Sequence, residues 1–533
     1  MFRTARGSLL VSANSALARS IASNWAGFAV QIVVTFALTP FVLRSLGAEG
    51  YGVWSVAIGL SGYYGLLDFG IRSGLTQFIA RHHAVGDQDK VNETVSTGIT
   101  ALAILGAAGA VTTCLLSSRV AGWFGVAAAD ATAAGRAVLL LGLGVSVQFV
   151  LFPFSAVLTA LQRFDVANGI GIATRLVTAA ATWWILSHGG GLPGLAAVTA
   201  AGSLVDYSFR AAAAFRLMPQ LRIRPERATM MAMRCLLVYG VWNIVIVSGI
   251  RLISYSDILV IGACVGAAAA TPFALAANVV NYFGQMLIPV AQVFFPAFAG
   301  LDARGDLKRV RALYISGSRL MLTLASISAV AATVWAVDFF QLWLGSGRAN
   351  MLTPTIFRVL LAAAVFATWQ RLGCQVLLGM GHVRMLAKLI FMEAAANLVL
   401  SVWLVYVLGL VGVAIGTLVP AAAFALVLHP LIVTRRIRLP LMDYYKAVLP
   451  GPIVAAAATG CILVPLRQTM VPTHWASLIA AGAVTAAILT VVLTLAVPEA
   501  RQWVRAITGP LLRPIRRRSV PVASDVPLSD LTP

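Results

Sequence analysis

The feature that most constrains this chain is a succession of apolar runs, each about twenty residues long, in which charged side chains are almost missing. A hydrocarbon layer about 30 Å thick is crossed by roughly 20 helical residues. Charged residues make up only 11% of the chain and apolar ones 60%, with a mean hydropathy of +0.89, whereas a soluble protein carries about 25% charged residues. The sequence therefore predicts an all-α, polytopic integral membrane protein.

Fourteen helices are predicted. Six run over Ala22–Leu43, Gly50–Phe69, Thr94–Ser117, Ala137–Leu161, Ala167–Ser187 and Leu192–Phe215. Six more run over Leu236–Gly262, Thr271–Phe298, Ala312–Ala336, Thr353–Leu378, Val383–Leu408 and Val411–Val433, and a last pair over Ala447–Leu466 and His474–Val497. The organisation expected is a basic N-terminus (1–21), a first six-helix bundle (22–215), a basic linker (216–235), a second bundle (236–433), two extra helices (434–498) and a tail (499–533) that is basic and then disordered. The first run contains Asn24, Trp25 and Gln31 and lacks an obvious cleavage site, so it reads as an uncleaved span.

The basic residues, which did not enter that parsing, set its orientation. With both termini cytoplasmic, 31 of the 39 Lys and Arg fall in inward segments and five, Arg44, Arg119, Arg136, Arg348 and Arg467, in outward loops. Most of the formal +21 charge is thus an orientation signal and implies no nucleic acid. No outward connection is long enough for a folded catalytic domain.

Shifting the sequence by 219 residues aligns Asn24 with Asn243, Gly47 with Gly266, Asp87 with Asp306 and Gly98 with Gly317. The loop A-x-G-D-x-x-[K/R]-V occurs in both copies, beginning at Ala84 and Ala303. Six helices repeat; six being even, both copies enter from the same side, and two parallel-related bundles could rock about a site between them.

Enzyme motifs are missing. None of Lys90, Lys308, Lys388 and Lys446 follows a glycine, so no Walker A motif exists, and no HExxH, GxSxG or Cys/His cluster occurs. No cofactor or metal is implied. Asp87-Gln88-Asp89 has D-x-D spacing, but its repeat partner Asp306-Leu307-Lys308 does not, and a loop turn is the simpler reading. The five cysteines stand singly in apolar surroundings, as small packed side chains.

Charge inside a span is expensive, at least about 2.5 kcal/mol at the centre, so it normally faces a cavity or a partner. Arg175 and Arg251 lie mid-span with no acid one turn away, and Arg suits bidentate binding of phosphate oxygens. Asp68 with Arg72 and Asp206 with Arg210 are spaced to pair along one helix face; Asp257 and Glu393 are further intramembrane acids. Asn278, Asn281 and Gln285 form one polar stripe, suited either to a wetted wall or to interhelical hydrogen bonds.

The stretch from Thr39 to Gly98 resembles the start of bacterial Wzx-type polysaccharide flippases of the multidrug/oligosaccharidyl-lipid/polysaccharide exporter superfamily. An L-G-x-x-x-Y-G element, Leu46 to Gly52, and a D-F-G-I element, Asp68 to Ile71, carry most of the likeness, and the 6+6 plan extends it to about Arg436. The resemblance implies translocation of a polyprenyl-diphosphate oligosaccharide from the cytoplasmic to the outer leaflet of a bacterial inner membrane, for cell-surface polysaccharide synthesis. It implies a cationic cavity between two halves, with Arg175, Arg251 and then Arg72 as head-group ligands, beside Asn278, Asn281 and Gln285. Asp68, Asp206, Asp257 and Glu393 would serve any coupling ion. The implied partners are the lipid-linked oligosaccharide, membrane lipids and polysaccharide polymerase or assembly proteins. A peptidoglycan-precursor flippase, which the two extra helices resemble, and a drug/cation antiporter are the nearest alternatives. A membrane polymerase or ligase fits less well, for want of a large outward loop.

Overall fold

The computed structural model describes residues 2–345 and 352–496, with side chains from residue 23 onward except 238–240. The described residues are almost wholly helical. The first group comprises α1 (Phe2–Tyr63), α2 (Ile71–Ala84), α3 (Gln88–Leu116), α4 (Val120–Trp123), α5 (Ala128–Ala160), α6 (Phe164–Ser187) and α7 (Gly191–Leu217). The second comprises α8 (Met230–Cys264), α9 (Ala270–Gln292), α10 (Phe294–Ala303), α11 (Leu307–Val334), α12 (Ala336–Leu344), α13 (Leu352–Gly379), α14 (Val383–Ala423) and α15 (His429–Arg436). Then follow α16 (Leu441–Val448), α17 (Pro450–Thr469) and α18 (Trp475–Ala496). The predicted tail from residue 499 and the loop cation Arg348 lie outside the described residues.

Eleven helical stretches among the described residues are long and apolar enough to cross a membrane, making this a multi-pass membrane protein. Two of the eleven, Ser23–Leu66 and Val383–Arg436, contain a break, at Gly47 (φ 72°) and Gly409 (φ 60°), where only glycine adopts the backbone without strain. Gly191–Leu217, interrupted by Asp206 and Arg210, is less apolar than those eleven. These two breaks and this polar helix are where the sequence reading of fourteen and the count of eleven part.

Local sequence explains the turns. In the two A-x-G-D-x-x-[K/R]-V loops, Gly86 (φ 74°) and Gly305 (φ 66°) take the left-handed conformation. Asp87 and Asp306 then cap the next helix, each Oδ1 accepting from the backbone N–H three residues on, at 3.0 Å from Lys90 and 3.1 Å from Arg309. The same carboxylates lie 3.7 Å from Lys90 Nζ and 3.3 Å from Arg309 Nε, and Val91 and Val310 are buried behind them. The D-x-D spacing is therefore a helix start. In the D-F-G-I element, Asp68 Oδ1 accepts from Gly70 N–H at 2.8 Å, and Phe69 and Gly70, both at positive φ, launch α2.

The apolar cores define the shape. At the end opposite the arginine-rich turns one cluster joins α1, α4, α5 and the α6–α7 turn to α8, α9, α12, α13 and α14, with Val56, Phe124, Ile261, Phe340 and Trp343 among its members. At the arginine-rich end, called inner below, the core divides. One cluster, around Leu75, Val95 and Val157, belongs to α2, α3 and α5 and takes Leu236 from α8; another, around Phe298, Tyr314 and Val376, belongs to α10, α11 and α13–α16. The two groups thus share one core at the outer end and have separate cores at the inner one, where α8 still meets α2 through Leu236 and through Asn243, whose Nδ2 donates to Ser73 Oγ at 3.0 Å.

Bonds across the outer end are specific. Trp343 Nε1 donates to the Phe36 carbonyl (2.8 Å), Ala267 N–H to the Phe124 carbonyl (2.9 Å) and Thr271 Oγ1 to the Ala48 carbonyl (2.5 Å). A Cβ on Gly52 would overlap the Ala267 carbonyl, which accounts for the last glycine of the L-G-x-x-x-Y-G element. The helices α17 and α18 pack on α11 through Ile327, Ala455 and Val492. The amphipathic α16 inserts Tyr444 between Tyr314, Trp369 and Ser318.

Candidate functional site: a polar cavity and an arginine seam

A cavity of about 510 Å³ opens among α1, α8, α9, α13 and α14. Its polar wall brings together five of the residues singled out from sequence: Asp257, Asn278, Asn281, Gln285 and Glu393. Asn278 Nδ2 reaches the buried Tyr51 hydroxyl at 3.4 Å, so one member of the stripe is also an interhelical bond.

Asp257 is buried and held by hydroxyls alone. Thr417 Oγ1 donates to Oδ2 at 2.6 Å and Ser401 Oγ to Oδ1 at 3.2 Å. Asn397 Nδ2 contacts Thr417 Oγ1 at 3.0 Å, and Ser256 Oγ donates to Asn397 Oδ1 at 3.3 Å. The Val413 carbonyl lies 3.3–3.4 Å from the Thr417 and Ser401 oxygens. One carboxylate thus sits in a cage of neutral oxygens, because the break at Gly409 brings Val413 and Thr417 back beside Ser401.

Glu393 is also buried and receives Gln370 Nε2 at 3.0 Å on both oxygens. Its electrostatic neighbour is Arg371, whose buried Nε has no hydrogen-bond partner among the described residues. The sequence reading counted Arg371 among the inward-loop cations; the structure instead places it inside α13, lining the cavity. Its position seven residues before the predicted end of that span was the available signal.

The arginines expected in the cavity line no part of it. Arg72 lies 3.4 Å from Asp68 and stacks over Phe149 and Phe152, at 4.6 and 4.5 Å from the ring centroids. Arg251, from α8, donates to the Tyr255 hydroxyl at 3.2 Å and packs into the notch left by Gly65. It acts electrostatically on both Asp68 and Arg72, although among the described residues only Arg72 is within ion-pair distance of that carboxylate.

Arg175 donates from Nη1 to Gln31 Oε1 at 3.1 Å. One heptad earlier Asn168 Nδ2 meets Asn24 Oδ1 at 2.6 Å, so α1 and α6 run parallel with a polar ladder between them. Asp206 binds Arg210 through two bonds (2.6 and 3.3 Å) and accepts from Thr174 at 3.0 Å, while Arg210 Nη1 lies 3.5 Å from Ser155 Oγ. That pair ties α5, α6 and α7 together and stands apart from the cavity.

Comparison with known proteins places this arrangement. Residues 41–351 match the model of a family described as polysaccharide biosynthesis protein. A Shigella flexneri protein described as a candidate O-antigen transporter is 25% identical over 145 residues, 27% of this chain and 34% of that protein. The uncharacterized membrane protein EpsK of Bacillus subtilis is 22% identical over 361 residues, 63% of this chain and 67% of EpsK. The chain thus spans only about a third of the first of these relatives.

Among solved structures, the inward closed lipid II flippase MurJ superposes with a TM-score of 0.65 at 11% identity, covering 92% of this chain and all of MurJ. An inward-facing multidrug resistance MATE family transporter of the MOP superfamily gives 0.62 at 15% identity, covering 76% of this chain and 94% of that one. These likenesses are of fold. With more than half of its length matched by the family model, the chain belongs to the polysaccharide biosynthesis protein family and has the fold of MOP-superfamily transporters.

Proposed function

We propose that this protein is a flippase that turns a polyprenyl-diphosphate-linked oligosaccharide from the cytoplasmic to the outer leaflet of a bacterial inner membrane. It does so without covalent chemistry, both termini lying in the cytoplasm. The moving units are two bundles, 22–215 and 236–433, with the pair in 434–498 packed against the second. The observation that carries the reading is the arginine seam: Arg72 pairs with Asp68 at 3.4 Å, and Arg251 of the other bundle packs at Gly65, near enough to act electrostatically on both. Arg175, held by neutral Gln31, adds a third cation. An excess of cations within the membrane-spanning helices suits a diphosphate, since Arg grips phosphate oxygens bidentately.

Of the four acids named for coupling, Asp68 and Asp206 are engaged by arginines, and Glu393 has Arg371 beside it. Among the described residues Asp257 is hydrogen-bonded by the hydroxyls of Ser401 and Thr417, and its cage suits a proton or a monovalent cation. One specific observation favours a second reading, a drug/cation antiporter: the cavity lining holds two carboxylates and one arginine.

Transport in proteoliposomes separates the two. On the flippase reading, a fluorescent polyprenyl-diphosphate oligosaccharide crosses, and Arg72→Ala, Arg175→Ala and Arg251→Ala combined abolish its crossing. Wild-type rates from that variant would sink the diphosphate grip. Exchange of an organic cation with no lipid translocation would establish the antiporter instead.

A further inference from the structure

A second hollow, of about 450 Å³, lies at the inner end, at the turn between the membrane-crossing helices α13 and α14. Arg384 and Lys388, one turn apart on α14, and Arg436 at the end of α15 line it, beside Trp242 of α8 and His382. No carboxylate is among the lining residues. Six other inner-end cations, Arg72, Lys90, Arg163, Arg210, Arg227 and Arg309, each have an aspartate within 4 Å. Arg384, Lys388 and Arg436 are in none of the described ion pairs, although three like charges around one hollow repel one another. His382 gives the start of α14 no side-chain cap, so the first-turn amides of that helix also face this end without one. Arg384 lies over the Trp242 ring, 5.6 Å from its centroid. Tryptophan at the edge of a span sits at headgroup level, and basic pockets between membrane helices take anionic headgroups.

We infer that this hollow binds the phosphodiester of an anionic glycerophospholipid in the inner leaflet, its acyl chains lying along the half-buried Trp242 and the neighbouring bilayer. The hollow shares no lining residue with the central cavity, so the bound lipid is a resident of the α8–α14–α15 corner and not the cargo.

The test titrates the purified full-length chain with phosphatidylglycerol and with phosphatidylcholine by native mass spectrometry. Phosphatidylglycerol is expected to remain bound where phosphatidylcholine does not. With about 1 kcal/mol of attraction per basic residue near the surface, Arg384→Gln, Lys388→Gln and Arg436→Gln together weaken its binding on the order of a hundredfold. A control removing three inner-end cations elsewhere, Lys90→Gln, Arg304→Gln and Lys308→Gln, keeps wild-type affinity. Should the triple variant fold poorly, Arg436→Gln alone is read for a several-fold loss. Equal losses in the control, or wild-type binding by the pocket variants, would overturn the inference. So would one-for-one displacement of phosphatidylglycerol by polyprenyl diphosphate, coupled to a raised transport KM in the pocket variants, since the hollow would then be a loading site for cargo.

Discussion

Arg467, at the end of α17, grips Asp338 of α12 with two bonds, Nε to Oδ2 at 2.7 Å and Nη2 to Oδ1 at 3.3 Å. The Asp338 side chain is only 9% exposed, so this pair fastens the additional helices to the first turn of α12. Replacing Arg467 with Ala strands a buried carboxylate, and the expected loss is about 1–3 kcal/mol, the cost of an unsatisfied buried acceptor. Thermal unfolding in detergent reads it. Asp338→Asn in the same chain should recover part of the loss, and a non-additive double-mutant cycle identifies the pair as the cause.

The outer closure depends on aromatic packing. Trp343 lies among Phe36, Phe339 and Phe340, with ring centroids 5.2–6.0 Å apart, and donates to the Phe36 carbonyl. Truncating a buried aromatic costs about 3–5 kcal/mol, enough to move a two-state balance by two orders of magnitude or more. Trp343→Ala, or Gly52→Val, which drives a side chain into the Ala267 carbonyl, is expected to open the outer end. Thiol labelling of Ala57→Cys, buried in the outer core, measures this in a chain whose five native cysteines are replaced by serine or alanine: labelling should rise in either variant and stay low without either substitution.

At the oxygen cage, Thr417→Val removes the 2.6 Å donor to Asp257 while keeping the side-chain shape. A hydrogen bond to a charged group is worth about 1.5–3 kcal/mol, so the affinity for a coupling cation should change by roughly tenfold or more. Asp257→Asn should remove the dependence of transport on the ion gradient altogether. Flux assays with imposed proton and sodium gradients check both, and an unchanged gradient dependence in Asp257→Asn would exclude the cage as the coupling site.

Asp87→Ala and Asp306→Ala each delete a helix cap of the same geometry. Each should cost about 1 kcal/mol, and the two losses should add, because the caps lie in separate cores. Thermal midpoints of the two single variants and the double variant test this.

Much of the fold was legible because its signals are local. Apolar runs mark the helices, and Gly86-Asp87 and Gly305-Asp306 mark a turn whose conformation and cap both reside within four residues. The same holds for Asp206 with Arg210, neighbours on one helix, and for Asp68 with Arg72, which pair at the same spacing although Asp68 stands in the turn before α2. What was not legible depends on partners far away in the chain. Nothing near Arg371 announces Glu393, and nothing near Arg251 announces the notch at Gly65 or the proximity of Asp68. The short helices Val120–Trp123, Ala336–Leu344 and Leu441–Val448 are not predicted from sequence, since each is too brief to show a period of its own. Fusion of predicted spans at Gly47 and Gly409 has a related cause: a single glycine at positive φ breaks direction without breaking the apolar run.

The common outer core has a bioenergetic meaning. A membrane potential exerts about 2.3 kcal/mol per elementary charge per 100 mV, and a continuous water path through a protein would dissipate it. Phe36, Phe340 and Trp343, packed across the outer end, interpose an apolar layer of the kind over which such a potential is held. On the proposed flippase cycle this layer is the insulation, and a turnover would remove it only after another had formed at the inner end.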